Sequence, residues 1–207
     1  MRCILSCALL ILALSGLLTA AGAAEGVLNF ENYATQGGEW SVRFDSDSPE
    51  VVQHRPSGQA AQFLFQGSQV PDRFVFEAEF GVISGNNVDE RPYFGLLFNM
   101  QYSGTFSGRV PGYRFDFRPS QFRYELVKVR ENGTTLLDTY MDVMPWQWGL
   151  EEWRTLRVVR DGAKIAAYVD DELLISFEDA EYVGGYVGFW TYSTAAVFRN
   201  IKFEALE

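Results

Sequence analysis

Apolar and polar residues alternate along most of this chain. In "DRFVFEAEF", Phe74, Phe76, Ala78 and Phe80 fall on one side, and Val75, Glu77 and Glu79 on the other. That is the period of two of a pleated strand. "YRFDFR" likewise sets Tyr113, Phe115 and Phe117 inward and Arg114, Asp116 and Arg118 outward, and "TLRVVR" buries Leu156 and Val158. "AKIAAYV" follows across a hairpin turn at Asp161-Gly162, and "LLISF" across Asp170-Asp171-Glu172. "GYVGFWTY" and "AVFRNIKFEAL" close the chain, and no segment carries the stripe of an amphipathic helix. Regularly spaced short strands with Gly, Asn and Asp turns predict an all-β sandwich or barrel.

The N-terminus breaks this pattern. Arg2 precedes the apolar run "ILSCALLILALSGLLTA", and "AGAA" follows it. A positive start, an apolar centre and a small-residue exit predict a signal peptide over 1–24, cut after Ala23 or Ala24. The protein is then secreted or periplasmic, with 25–207 as a single domain. Both cysteines, Cys3 and Cys7, lie in the signal, so the mature domain has no disulfide, thiolate or cysteine-metal chemistry and depends on its core. The formal charge is −10, with acidic and basic residues interspersed. This argues against nucleic acid or an anionic membrane as partner. No later apolar run is long enough to span a membrane. His54 is the single histidine, which excludes a zinc site built from several histidines. Its neighbourhood "VVQHRPSGQ" has no nucleophile elbow.

The C-terminal third has a more specific pattern. Trp153 opens a strand, a Gly turn leads to "IAAYVD", and "GYVGFW" and "VFRNIKF" follow. From Trp153 to Phe203 this resembles the concanavalin A-like, laminin-G-like jelly rolls of secreted bacterial proteins. Within them it looks most like the 3-keto-disaccharide hydrolase-like family. The resemblance implies a two-sheet antiparallel jelly-roll sandwich that holds oligo- or polysaccharide on a concave sheet face and its rim loops. It also implies a 3-keto-glycoside hydrolase or lyase as the alternative to a binding module, with a structural or adhesion module as a third reading. It makes "LNFENYATQGGEWSV" the opening strand, with Glu31 as a ligand for a structural calcium ion, and it puts Trp153 in the core.

Glu77 and Glu79 are spaced as two catalytic carboxylates on one strand could be. Family 16 glycoside hydrolases, on this fold, place three acidic residues at alternate positions; here Val75 stands where the nucleophile would be, and Gly81 ends the shifted frame. The pair is expected on a solvated face. Arg114, Asp116 and Arg118 project together from an aromatic-backed strand, where guanidinium forks and a carboxylate can grip sugar hydroxyls or a carboxylated sugar. The competing reading is a cross-strand ion-pair ladder. Trp146 and Trp148, in a loop after Pro145, supply indole rings for stacking on a sugar, and Trp190 with Tyr192 extend that surface if their side of the strand, and not that of Val187 and Phe189, faces out. For an enzyme, Asp116 or Asp142 is the expected acid/base group.

Overall fold

The computed structural model describes residues 27–55, 60–85, 93–141 and 153–207. The expected signal peptide over 1–24 and Asp142, Trp146 and Trp148 lie outside them. In chain order the strands are β1 Tyr33–Gln36, β2 Trp40–Arg43, β3 Glu50–Gln53, β4 Ala60–Phe65, β5 Arg73–Gly85, β6 Tyr93–Met100 and β7 Gly112–Arg118. After a 3-10 turn at Pro119–Gln121 come β8 Arg123–Arg130, β9 Gly133–Met141, β10 Arg154–Asp161, β11 Lys164–Val169, β12 Glu172–Glu178, β13 Tyr186–Tyr192 and β14 Thr194–Ala205. They form two antiparallel seven-stranded sheets, β1-β4-β13-β6-β7-β8-β9 and β12-β11-β10-β5-β14-β3-β2. Packed face to face, these make the jelly-roll sandwich the sequence predicts.

On β5, β7 and β10 the inward side is the one the alternation selects. Phe74, Phe76, Ala78 and Phe80 of β5 are buried, as are Phe115 and Phe117 of β7 and Leu156 and Val158 of β10. They share one core with Phe63 and Phe65 of β4, Phe94, Leu96 and Phe98 of β6, and Phe189 of β13. Phe189 stacks on Phe198 of β14 in the facing sheet, with ring centroids 4.1 Å apart.

Two local expectations need correction. The segment "LNFENYATQGGEWSV" is not one strand. It divides at Gly37-Gly38, both at φ +65°, so that β1 joins one sheet and β2 the other. A left-handed pair of this kind favours glycine and turns the chain sharply. The β10–β11 turn lies one residue later than expected. Asp161 pairs with Lys164, leaving Gly162-Ala163 as the loop, and Gly162 takes φ +61°. The next hairpin uses Asp170 and Asp171, both at positive φ (47° and 68°), the pattern of a type I′ turn.

Candidate functional site

Sequence leaves open which side of β13 is buried. Val187 and Phe189 enter the core, while Trp190 belongs to a second apolar cluster on the outer face of the sheet, with Tyr192 packed against it. Outward residues of neighbouring strands therefore line up by register. One row crosses β4, β13, β6, β7 and β8 as Gln62, Trp190, Gly95, Asp116 and Glu125. On one side of it lie Leu64, Gly188, Leu97, Arg114 and Val127. On the other side, Tyr192 pairs with Tyr93 and Arg118 with Arg123. Arg114, Asp116 and Arg118 do project together, as alternation on β7 requires.

This face is not a solvated one. Asp116 is 0 % exposed and Arg114 8 %, and Glu125, Gln62 and Trp190 are also buried. Leu64, Leu97, Met100, Val110 and Trp190 form the outer cluster, and Tyr102 and Phe106 from the β6–β7 connection pack against it. Gly95 and Gly188 keep the middle of the sheet open. A Cβ on Gly95 would fall on the Phe115 carbonyl oxygen of β7, and one on Gly188 on that of Phe63 in β4. Arg114 is held on this face by two neighbours. Its Nε is 2.6 Å from Asp116 Oδ2, and its guanidinium sits 4.0 Å over the Trp190 ring.

A second ionic group joins it. Arg118 Nε lies 2.5 Å from Glu125 Oε2, and Arg123 Nη2 lies 2.7 Å from Glu125 Oε1. The Arg118 guanidinium stacks 4.3 Å over Tyr93, whose ring is stacked in turn on Tyr192 at 5.5 Å. Burial pushes the Asp116 carboxyl up to about 6 from its ordinary 3.8. Arg114 and Arg118 pull it down, and Glu125 opposes them. Desolvation therefore outweighs the ion pair.

Three polar atoms of the central row have no hydrogen-bond partner within the protein: Gln62 Oε1, Trp190 Nε1 and Asp116 Oδ1. Two acceptors and one donor, all buried, are thus held in one line across the sheet. An unpaired buried polar atom costs about 1–3 kcal/mol, and these three sit on β4, β13 and β7, with β6 between the last two. Trp190 does not serve as the open stacking face expected of it, because Arg114 covers one side of its indole. It offers its N–H instead. Tyr192, stacked on Tyr93, remains the aromatic edge of the site. Gln62, Tyr93, Arg123 and Glu125 are the members that sequence reasoning missed.

The other candidates are placed apart from this face. Glu77 and Glu79 lie on the outside of the opposite sheet, partly buried and ion-paired. Glu77 bonds Lys202 at 2.9 Å and Glu79 bonds Arg199 at 2.9 Å. Glu77 lines an open groove of about 320 Å³ with Arg157, Tyr168 and Lys202, and Glu79 is not in it. Trp153 is not in the core: it packs on Gly81, with the Arg199 guanidinium 3.5 Å over its ring. Glu31 is not in a strand. It occupies a turn in which Asn29 Oδ1 accepts the N–H groups of Glu31 and Asn32. Among the described residues no group of three or more His, Cys, Asp or Glu side chains could hold a metal ion, and Glu31 belongs to no such group. His54 Nε2 meets Ser41 Oγ at 2.7 Å, but among the described residues no carboxylate pairs with its ring.

No protein-family model and no curated protein sequence matches the chain. Solved structures do share its fold. Carbohydrate-binding module CBM66 from Bacillus subtilis superposes with a TM-score of 0.67 at 18% identity, over 84% of this chain and 96% of that one. The exoplasmic/lumenal domain of VIP36, bound to Ca2+ and Man3GlcNAc, gives 0.61 at 9% identity, over 87% and 86%. A Bacteroides ovatus mixed-linkage-glucan GH16 protein in complex with a G4G4G3G product gives 0.59 at 8% identity, over 87% and 97%.

Proposed function

We propose that this protein is a carbohydrate-binding jelly-roll domain that works outside the cytoplasm, with its site on the outer face of the sheet carrying β13, β6, β7 and β8. The observation that carries this reading is the row of unpartnered polar atoms, Gln62 Oε1, Trp190 Nε1 and Asp116 Oδ1. Sugar hydroxyls both donate and accept, so an oligosaccharide laid across β4 to β7, about 14 Å at about 4.8 Å per strand, can meet a donor and two acceptors along its length. The Tyr93–Tyr192 stack gives an apolar surface beside them for a C–H face. Arg114, bound to Asp116 and lying on Trp190, fixes both side chains before a ligand arrives, which lowers the entropy lost on binding. The sugars in the VIP36 and GH16 structures and the module function of CBM66 agree with this reading, and the signal-like N-terminus agrees with export.

A glycan array followed by calorimetry tests it. Trp190→Phe keeps an aromatic ring and removes the N–H. Its expected effect is about a tenfold loss of affinity, the worth of one well-placed hydrogen bond. An array without a hit, or a Trp190→Phe protein that binds as tightly as the parent, would sink the reading.

One observation favours a second reading, hydrolysis of 3-keto-glycosides. Asp116 and Glu125 face each other across β7 and β8, and Asp116 keeps its proton up to about pH 6. A protonated carboxyl beside a carboxylate is an arrangement that acid/base catalysis uses. Incubation with 3-keto-glucosides and analysis of the released sugar tests it. Turnover that Asp116→Asn abolishes is the expected result; no turnover removes the reading.

A further inference from the structure

The carbohydrate-binding reading leaves the class of sugar open, and the ionic end of the site narrows it. Arg118 and Arg123 are opposite each other on adjacent strands. Like charges in that position repel. A single carboxylate, Glu125, lies against both, at 2.5 Å and 2.7 Å. The Glu125 side chain is 3 % exposed, whereas those of Arg118 and Arg123 are 20 % and 30 % exposed. The anion is therefore the buried floor and the two guanidinium groups are the rim. Two positive charges share one negative charge, and Arg114 is already paired with Asp116. Among the described residues the corner keeps a net positive charge, on a chain whose formal charge is −10.

The rim is also held in place. Tyr93 carries the Arg118 guanidinium on its ring, and Tyr192 backs Tyr93. Planar guanidinium groups with outward N–H donors match a planar carboxylate through paired, charge-assisted hydrogen bonds. The unpartnered row at Trp190 and Asp116 lies on the adjoining line of the same face. A ligand that suits both has hydroxyls at one end and a carboxylate at the other. Resting on the carbohydrate-binding reading, we infer that the site takes a carboxylated sugar, a uronic acid residue of an oligo- or polysaccharide, with its carboxylate on Arg118 and Arg123.

The experiment uses the full chain and a panel of oligogalacturonates, oligoguluronates and oligoglucuronates, each beside its carboxyl-reduced, neutral counterpart. Calorimetry is expected to show at least one acidic oligomer binding about tenfold or more tighter than its reduced partner. Arg118→Gln and Arg123→Gln should each bring the affinity for the acidic oligomer close to that for its reduced counterpart measured on the same variant. Arg118→Lys, which keeps the charge and loses the fork, should fall between; it also serves if a glutamine variant fails to fold. Equal affinity for acidic and reduced oligomers, or arginine variants that bind like the parent, overturns the inference and leaves the carbohydrate site standing. If neither these oligomers nor any neutral glycan binds, the carbohydrate reading itself falls.

Discussion

Phe189→Ala is expected to cost the fold about 3–5 kcal/mol, the range for deleting a buried phenylalanine ring. The ring is 0 % exposed. It belongs to the first sheet but meets Phe198 at 4.1 Å and Phe76 at 5.8 Å in the second. It also touches Phe63 and Phe65 beside it. Those neighbours sit on paired strands and cannot close the gap without breaking the ladders, so a cavity is left between the sheets. A domain with no disulfide is stable by about 5–15 kcal/mol, and this loss takes a large share of it. Urea unfolding of the parent and variant measures it, with exposed Leu136→Ala as a control expected within about 0.5 kcal/mol. A loss below about 1 kcal/mol, short of the range for a buried ring, would mean that the two sheets do not meet at this ring.

The sandwich is legible in the sequence because a pleat has a period of two, and a misread residue type does not disturb the period. Arg160 shows how far this holds. Alternation in "TLRVVR" puts it on the same side as Leu156 and Val158, although arginine is a surface residue by type. It is in fact fully buried, with its guanidinium 5.3 Å over the Tyr113 ring. Turn positions slip by a residue, as at Gly162-Ala163, because several adjacent polar residues satisfy the same turn rule.

The site is legible only in part, for the same reason inverted. Alternation assigns Arg114 and Asp116 to the outside of the sheet, where they lie, but it does not reveal that both are buried there. What makes the face a candidate site is register between strands far apart in the chain, setting Gln62 and Trp190 in line with Asp116. No local pattern contains that. Two signals point toward it, the mid-strand glycines Gly95 and Gly188, which mark close backbone approach, and the alternating Arg123 and Glu125 of "RYELVKVR". Resemblance misplaced Trp153 because a strand-opening tryptophan can cover either side of its sheet, and Gly81 leaves room for it on the outer one.

The burial of Asp116 has a consequence for pH. Its carboxyl keeps its proton up to about pH 6 in the folded protein, against an ordinary 3.8. Between those values the folded state binds the proton more tightly than the unfolded chain does. Stability from this group is therefore fully present below about pH 4 and falls as the pH rises through 6. A rise from 3.8 to about 6 corresponds to about 3 kcal/mol. Asp116→Asn carries no proton to lose but can still accept from Arg114, so its stability lacks this fall. Other carboxylates titrate in both proteins, and the difference between the two unfolding curves isolates Asp116. That difference is expected to move by about 3 kcal/mol in favour of Asp116→Asn between about pH 4 and pH 7, with Arg114, Arg118, Arg123 and Glu125 unchanged around the position. A flat difference would mean that water or the neighbouring guanidinium groups already compensate the charge. The central row would then not be the dry, unsatisfied line on which the proposed carbohydrate site depends. A slope of the expected sign would show that the protein tolerates an ionised, half-partnered Asp116 at neutral pH, a cost that a ligand hydroxyl donating to Oδ1 would relieve.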